Sequence, residues 1–225
     1  MNIKIIFKTL GKLLWVEAIL MLIPLIVSFI YKENTYLSFL VPIGSLVLSG
    51  FLLSLIKTER KTIYAKEGFV LVGLCWIMLS LFGTLPFIIS KEIPNFIDAL
   101  FETISGFSTT GASILSSEGI EGMSKSLLFW RSFTHWIGGM GVLVFVLAIL
   151  PSSEGQNIYI LRAESTGPQV GKLVSKVKVT ARILYLIYFA LTIIQVIFLV
   201  CGEMNLFEAI VHSFATAGTG GFGIK

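Results

Sequence analysis

Five long apolar stretches constrain the fold of this chain more than any other feature of its sequence. Each reaches the roughly 20 residues that a helix needs to cross a bilayer core of about 30 Å. The stretches are 5-30, 37-56, 69-90, 127-150 and 179-201. With 55% hydrophobic residues, 13% charged residues and a mean hydropathy of +0.90, the chain is more apolar than soluble domains of its length. Because lipid offers backbone groups no hydrogen-bond partner, all five stretches are predicted to be helices of an all-α integral membrane protein.

The basic side chains gather in three segments, and this placement predicts the orientation of the helices. They concentrate in 1-12, 57-66 and 151-178. Since Lys and Arg are enriched in cytoplasmic loops, these segments are placed inside, with the N-terminus, and 91-126 is placed outside. A net charge of +4 would suggest nucleic acid for a soluble domain. Here the lipid bilayer explains the charge pattern, and no nucleic-acid partner is expected.

One segment of the chain occurs twice. FIDALFETISGFSTTGAS at 96-113 aligns without a gap with LFEAIVHSFATAGTGGFG at 206-223, at a constant offset of 110 positions. The alignment pairs Gly111 with Gly221. Each copy follows an apolar stretch across a short polar connection. The predicted repeating unit is therefore a span, a half-helix, a Gly/Thr turn and a second span.

The helical part of each copy is too short to cross a bilayer. Segments 94-106 and 205-217 provide about 13 residues, or roughly 20 Å of helix. Such segments are predicted to re-enter on the side from which they came. Irregular backbone at membrane depth is tolerated only where it is buried in protein or lines water. Several such units around one axis would form a pore.

The residue types of the two turns favour a dehydrated monovalent cation. A helix that points its C-terminal end into the membrane brings partial negative charge toward the axis. Glycine at Gly111, Gly220 and Gly221 permits positive φ, so consecutive carbonyls can turn toward one axis, and threonine hydroxyls add oxygen without net charge. Segments 107-113 and 215-223 contain no carboxylate. Ca²⁺ and Mg²⁺ therefore fit less well than an ion that exchanges its water for carbonyl oxygens.

These motifs resemble those of the Trk/Ktr potassium transporters, which are related to the plant and fungal HKT and Trk proteins. FETISGFSTTGAS (101-113) resembles the first pore helix and filter of the family, and HSFATAGTGGFG (212-223) resembles the second filter. The intervening segments that match are FWRSFTHWIGGMGVLVFVLAILP (129-151), RAESTGP (162-168) and KVKVTARILYLIYFALT (176-192). The resemblance covers nearly the whole chain, with 1-60 similar only in its two-span character.

The resemblance implies one ion pathway built from four tandem repeats of span, pore helix, filter turn and span, with potassium uptake as its function. It divides the chain into two N-terminal spans (1-60), a first repeat (61-151), a cytoplasmic linker (152-178) and an incomplete second repeat (179-225). Backbone carbonyls of both filter turns are the expected potassium ligands. The residues concerned are Thr109, Thr110, Gly111 and Ala112 in the first turn and Thr219, Gly220, Gly221 and Phe222 in the second.

The resemblance also implies a location and partners. Members of the family are bacterial plasma-membrane proteins, with filter turns that face outside. They usually assemble as homodimers on a cytoplasmic nucleotide-binding regulatory ring. Potassium is the transported ion, and no organic cofactor is expected.

The chain stops at Lys225, where the family continues with the rest of the second repeat and two further repeats. The sequence is therefore expected to be a fragment that is inactive alone. A non-conducting truncated partner of a full-length transporter is the alternative. An intramembrane serine hydrolase is less well supported. The candidate residues lie in or near the membrane, but no GxSxG elbow occurs. They are Ser105, Ser108, Ser113, His135 and His212.

Charged residues and histidines in apolar segments each allow two interpretations. Glu102 and His212 occupy equivalent positions in the two half-helices, where backbone support is favoured over contact with ions. Arg131 and His135 lie four residues apart on one helical face. They either line the pathway or anchor the structure. Anchoring is favoured, with Arg131 reaching the membrane interface.

Two further features are expected to be structural. Glu17 in the first span is predicted to pair with a nearby lysine such as Lys12. Gly138, Gly139 and Gly141 lie within an apolar stretch without the strand context of a nucleotide-binding loop, so they are interpreted as sites of helix packing or kinking.

Overall fold

The computed structural model of the chain describes residues 2–58, 64–141 and 177–224, and all regular elements in these ranges are helices. Three long apolar helices are followed by three shorter ones, then by a fourth long helix and a final short one. In chain order the elements are α1 (Ile3–Ile30), α2 (Tyr36–Ser54), α3 (Ala65–Ile89), α4 (Phe96–Phe107), α5 (Ser117–Glu121), α6 (Lys125–Met140), α7 (Val177–Cys201) and α8 (Leu206–Ala217).

Four of the five predicted spans are present as helices long and apolar enough to cross a membrane, namely α1, α2, α3 and α7. The fifth, 127-150, is helical over the part that the structure describes, which ends with α6 at Met140. The remainder of that span and most of the predicted linker 152-178 lie outside the described residues. The predicted division of the chain into domains stays a prediction.

Helices α1 and α2 form a close antiparallel pair. A Cβ atom added to Gly11 would lie 2.9 Å from the carbonyl oxygen of Gly50, so both helices need a residue without a side chain at this crossing. Trp15 covers the crossing, and its Nε1 donates a hydrogen bond to the carbonyl oxygen of Val47 at 3.2 Å. Small residues at such crossings let two membrane helices pack by direct backbone contact.

Glu17 corrects one expectation from the sequence. It lies midway along α1 between Ile3 and Ile30, with 1% of its surface exposed. In the part of the chain that the structure describes, neither carboxylate oxygen has a hydrogen-bond partner. The expected pairing with Lys12 is therefore wrong. Lys12 lies five positions away and is itself exposed, so the two side chains leave the helix in different directions.

This unpartnered carboxyl group predicts an unusual mutational effect. Replacing Glu17 by leucine removes a buried polar group that has no partner and supplies apolar volume for the same space. We expect Glu17→Leu to raise the free energy of unfolding by about 1 to 3 kcal/mol. Denaturant unfolding of purified protein in detergent measures this, with Glu17→Lys expected to shift stability in the opposite direction. A less stable Glu17→Leu variant would contradict the prediction.

Helix α6 is the centre of the described fold. Every residue from Ser126 to His135 is buried, as expected for a helix that other elements surround. It packs against α1, α4 and α8. Two carboxylates hold its N-terminus. Glu33 accepts hydrogen bonds from the backbone N–H groups of Lys125 and Ser126, at 2.7 and 3.0 Å, and Glu92 accepts one from Ser124 at 3.1 Å. Carboxylates in this position accept hydrogen bonds from the free N–H groups of the first turn and place negative charge next to the positive end of the helix dipole, which is favourable.

Helix α7 differs from α6 because most of its side chains are exposed. Leu186 and Phe198 are each 72% exposed, and Ala181 and Thr192 are buried. An apolar helix that is open around most of its circumference suits a lipid-facing span. Its inner side packs against α8, so α7 holds the second half-helix in place.

Candidate ion-conduction site

The two half-helices are built in the same way. Helices α4 and α8 each contain 12 residues, or about 18 Å, which is little more than half of a bilayer core. Each begins with an asparagine cap. The side-chain oxygen of Asn95 accepts from the N–H of Ile97, and that of Asn205 accepts from the N–H of Glu208, both at 2.9 Å. The sequence repeat therefore corresponds to a repeated structure.

The two turns that follow these helices also match. In the first, Thr109 and Gly111 have positive φ, 56° and 74°. In the second, Thr219 and Gly221 have φ of 61° and 80°. Positive φ is uncommon for threonine. Its occurrence at both equivalent positions therefore indicates that the two turns share one defined backbone conformation. Where left-handed residues alternate with right-handed or extended ones, successive peptide planes rotate relative to each other. Consecutive carbonyls can then face one side, as the sequence predicts for these turns.

Hydrogen bonds fix the two turns onto their helices in the same pattern. The carbonyl oxygen of Ser105 accepts from the N–H groups of Thr110 and Gly111, at 3.0 and 3.5 Å. The carbonyl oxygen of Ala215 accepts from those of Gly220 and Gly221, at 3.1 and 3.2 Å. These N–H groups are thus directed back at the ends of their own helices, and in the first turn the carbonyl oxygen of Ala112 also bonds to α4, through the hydroxyl of Ser105.

The structure brings the two turns into direct contact. The carbonyl oxygen of Gly220 lies against Gly111, at the place that a side chain at this position would occupy. Gly111 therefore has two reasons to be glycine, its positive φ and the approach of the opposite backbone. For Gly221 the structure gives only the first reason, because no atom of the described residues lies within 4 Å of the place that a Cβ atom would take there. The predicted ligands Thr109 to Ala112 and Thr219 to Phe222 thus lie in two neighbouring turns.

Glycines of α6 allow both turns to approach this helix. Gly138 lies against the carbonyl oxygen of Phe107, at the end of α4. A Cβ atom on Gly139 would meet Cα of Gly218 at 2.7 Å, at the start of the second turn. On the other side of the contact, Gly106 lies against the side chain of Thr134. The interpretation of the Gly138–Gly141 segment as a site of helix packing is confirmed.

A buried ion pair connects α4 with α6. Nε of Arg131 donates to Oε1 of Glu102 at 2.6 Å, and both side chains are almost completely buried. The carboxylate also accepts from the hydroxyl of Ser113, at 2.9 Å to Oε1, and from the N–H of Ile114 at 3.2 Å to Oε2. Glu102 therefore holds the segment that leaves the first turn, which matches its expected role as backbone support.

Arg131 continues this network to the second turn. Its Nη1 donates to the carbonyl oxygen of Gly223 at 3.1 Å, and Cζ lies 3.6 Å from the ring centroid of Phe222. The anchoring role predicted for Arg131 is thus observed, but the predicted route is wrong. With 2% of its surface exposed, Arg131 does not reach the interface and is instead satisfied within the protein.

His135 lies one helical turn after Arg131 in α6, against the second turn. Its ring stacks on that of Phe222, with centroids 3.9 Å apart, and it fills the space beside Gly220. Because the Phe222 side chain is buried under these two residues, only its backbone remains available to an ion. His212 is partly buried, and its carbonyl oxygen accepts from the hydroxyl of Thr216 at 2.9 Å.

The serines considered for a hydrolase are engaged elsewhere. The hydroxyl of Ser105 donates to the carbonyl oxygen of Ala112 at 2.6 Å, and that of Ser108 is 2.8 Å from the hydroxyl of Thr110. Ser113 is bound to Glu102. In the ranges that the structure covers, no serine hydroxyl is hydrogen-bonded to a ring nitrogen of His135. The nucleophile and base of that alternative are therefore not assembled here.

Sequence reasoning identified the turns and assigned supporting roles to Glu102 and Arg131, but it missed that these side chains pair with each other and contact the second turn. The ion pair joins residues 29 positions apart, and Arg131 reaches a carbonyl 92 positions away. One signal was available, because an acid in a half-helix and an arginine in the next apolar stretch are both costly in lipid unless they are paired.

The chain matches the family model TrkH, described as cation transport protein, over residues 6–225. It is 34% identical over 225 residues to the Trk system potassium uptake protein TrkH of Halomonas elongata, covering 99% of this chain and 46% of that protein. The protein of the same name from Escherichia coli K12 is 36% identical over 226 residues, again covering 46% of its length. The chain spans about half the length of the curated relatives that it matches.

A solved structure resembles the fold over the whole chain. The crystal structure of the potassium transporter TrkH from Vibrio parahaemolyticus superposes with a TM-score of 0.83 at 30% sequence identity. The match covers 100% of this chain and 45% of that structure. The arrangement of helices is therefore shared with the corresponding part of a solved transporter.

Proposed function

The chain belongs to the TrkH family of cation transport proteins and is a multi-pass membrane protein, and from this premise we propose that it forms part of a potassium-uptake pathway. The observation that carries the proposal is the contact between the two Gly/Thr turns, with Gly220 against Gly111. Each turn follows a half-helix and repeats the same φ pattern. This is a suitable arrangement for backbone carbonyls that replace the water around a cation.

The proposed ligands are the carbonyls of Thr109 to Ala112 in the first turn and of Thr219 to Phe222 in the second. Support comes from the hydrogen bonds that bind the N–H groups of 110, 111, 220 and 221 to their own helices. The C-terminal ends of α4 and α8 add partial negative charge near the turns. A potassium ion is favoured over a divalent ion, because the turns contain no carboxylate and carbonyl oxygens carry no net charge.

The basic segments support an orientation with the N-terminus and the 57-66 connection in the cytoplasm. The connections that hold Glu33 and Glu92 then face outside, as do the starts of α4, α6 and α8. In this orientation both turns are reached from the outer side of a bacterial inner membrane. The division into two N-terminal spans (1-60), a first repeat (61-151), a linker (152-178) and a second repeat (179-225) is part of the same proposal.

The proposal also includes the further protein segments and subunits with which this chain assembles. The relatives are about twice as long as this chain, so the pathway is proposed to require further filter turns beyond the two described here. A homodimer and a cytoplasmic nucleotide-binding regulatory ring are proposed from the family resemblance.

Complementation tests this proposal. The chain is expressed in a bacterial strain that lacks potassium uptake, both alone and together with a second chain carrying the remaining length of the Halomonas elongata relative. We expect no growth on limiting potassium with the chain alone, because two turns provide half of a four-turn filter, and growth when both chains are present. Growth with the chain alone would contradict the need for further turns, and absence of uptake in both arrangements would contradict the proposed function.

A further inference from the structure

The ring of His135 occupies a position that the ion-pair network does not explain. The residue is 0% exposed, and neither ring nitrogen has a hydrogen-bond partner among the residues described. A Cβ atom added to Gly220 would lie 2.5 Å from both ring nitrogens, so the ring covers the position of a missing side chain. The backbone carbonyl oxygen of His135 lies in the same way against Gly218.

These contacts form a row across the two turns. The ring of His135 lies behind Gly220, and the carbonyl oxygen of Gly220 lies against Gly111 of the first turn. Phe222 lies beside this row of contacts, with its ring stacked on that of His135 at a centroid separation of 3.9 Å. The second turn is therefore confined between a side chain of α6 and the backbone of the first turn.

The contacts of His135 with the second turn are made by a ring and by backbone. Its ring stacks on that of Phe222 and fills the space beside Gly220. Hence the ring contributes shape at this position, and a planar, rigid shape fits a space between a stacked phenyl ring and a backbone turn.

We propose that His135 is a positioning residue for ion selectivity, a spacer that sets the separation of the second filter turn from the first. The inference rests on the proposed function, because selectivity has meaning only if the turns conduct ions. Discrimination between potassium and sodium depends on the size and flexibility of the carbonyl cage. A smaller residue at 135 leaves Gly220 free to move away from Gly111, which loosens that cage.

The test compares three substitutions in whichever expression arrangement restores growth. For His135→Ala we expect the ratio of potassium to sodium uptake to fall about tenfold, which corresponds to roughly 1.4 kcal/mol of lost discrimination. His135→Phe keeps a planar ring and is expected to restore most of the ratio. Phe133→Leu is the matched control, because Phe133 is buried on the same helix and packs on Phe129 and Phe214. We expect it to keep the ratio of the parent.

Each result decides the inference. An unchanged ratio in folded His135→Ala protein overturns it, and so does an equal fall in Phe133→Leu, which would indicate general loss of packing. A ratio in His135→Phe as low as in His135→Ala overturns the spacer role in favour of the ring nitrogens. If the parent transports no potassium, the proposed function fails, and an experimental structure of His135→Ala decides the inference separately. Displacement of Gly220 from Gly111 supports the spacer, and an unchanged contact overturns it.

Discussion

Replacing Gly111 by alanine is expected to reduce potassium uptake to the background level of the host. The residue has a φ of 74°, where an L-residue costs roughly 1 to 2 kcal/mol. In addition, the new methyl group would meet the carbonyl oxygen of Gly220, a backbone atom that cannot turn aside by a rotamer change. Overpacking of this kind typically costs about 1 to 3 kcal/mol. Both penalties fall on the proposed potassium ligands, and potassium uptake by cells that carry the variant together with the co-expressed second chain measures the loss.

Two other glycines serve as controls for this prediction. Gly221→Ala carries the strain of a φ of 80° without the collision, because no atom of the described residues lies within 4 Å of its Cβ position, so a smaller loss is expected. Gly73→Ala is in the interior of α3, where the Cβ position is also open among the residues that the structure describes, and uptake is expected to equal that of the parent. Full uptake with unchanged selectivity in Gly111→Ala would show that the two turns do not need their present contact.

Removal of the Arg131 side chain is expected to cause the largest loss of stability. In Arg131→Leu the carboxylate of Glu102 stays buried without its cation, and breaking a buried pair from one side costs roughly 3 to 5 kcal/mol. The variant also loses the hydrogen bond to Gly223 and the stacking on Phe222, so the second turn is released together with the first. Denaturant unfolding in detergent, with the fraction of monodisperse protein as a second readout, measures the effect.

Two variants separate the loss of charge from the loss of contacts. The double variant Glu102→Leu with Arg131→Leu contains no unpaired charge and is expected to recover most of the stability. Arg131→Lys keeps the charge but cannot reproduce the planar contacts to Glu102, Gly223 and Phe222, so an intermediate loss is expected. An Arg131→Leu protein as stable as the parent would contradict the proposed importance of the pair.

The parts of the fold that depend on local sequence could be predicted. Apolar length located α1, α2, α3 and α7 to within a few residues, because crossing a bilayer fixes a minimum length of apolar helix. The gapless repeat located α4 and α8, and their shortness was readable from the polar turns at their ends. Glycine in those turns indicated the positive φ of Gly111 and Gly221, but the expectation was wrong for Gly220, and the positive φ of Thr109 and Thr219 was not predicted.

The contacts between these elements could not be predicted in the same way. Glu17 was assigned a lysine partner because the sequence contains one nearby, yet a helix directs residues five apart to different faces. Arg131 was placed at the interface from its position near a span end, but its partners lie on α4 and beyond α8. The pattern of one segment carries no information on which distant segment packs against it.

Contacts between α6 and the second turn have a consequence for biosynthesis. Helix α6 follows the first turn in the chain, yet Arg131, His135 and Gly139 contact the second turn. During translation the first turn therefore emerges about 110 residues before the segment that completes its surroundings, an interval of roughly 5 to 20 s at ordinary elongation rates. Until Gly220 contacts Gly111, the first turn of the nascent chain lacks the second turn that packs against it. A chaperone or insertase has access to the first turn during this interval.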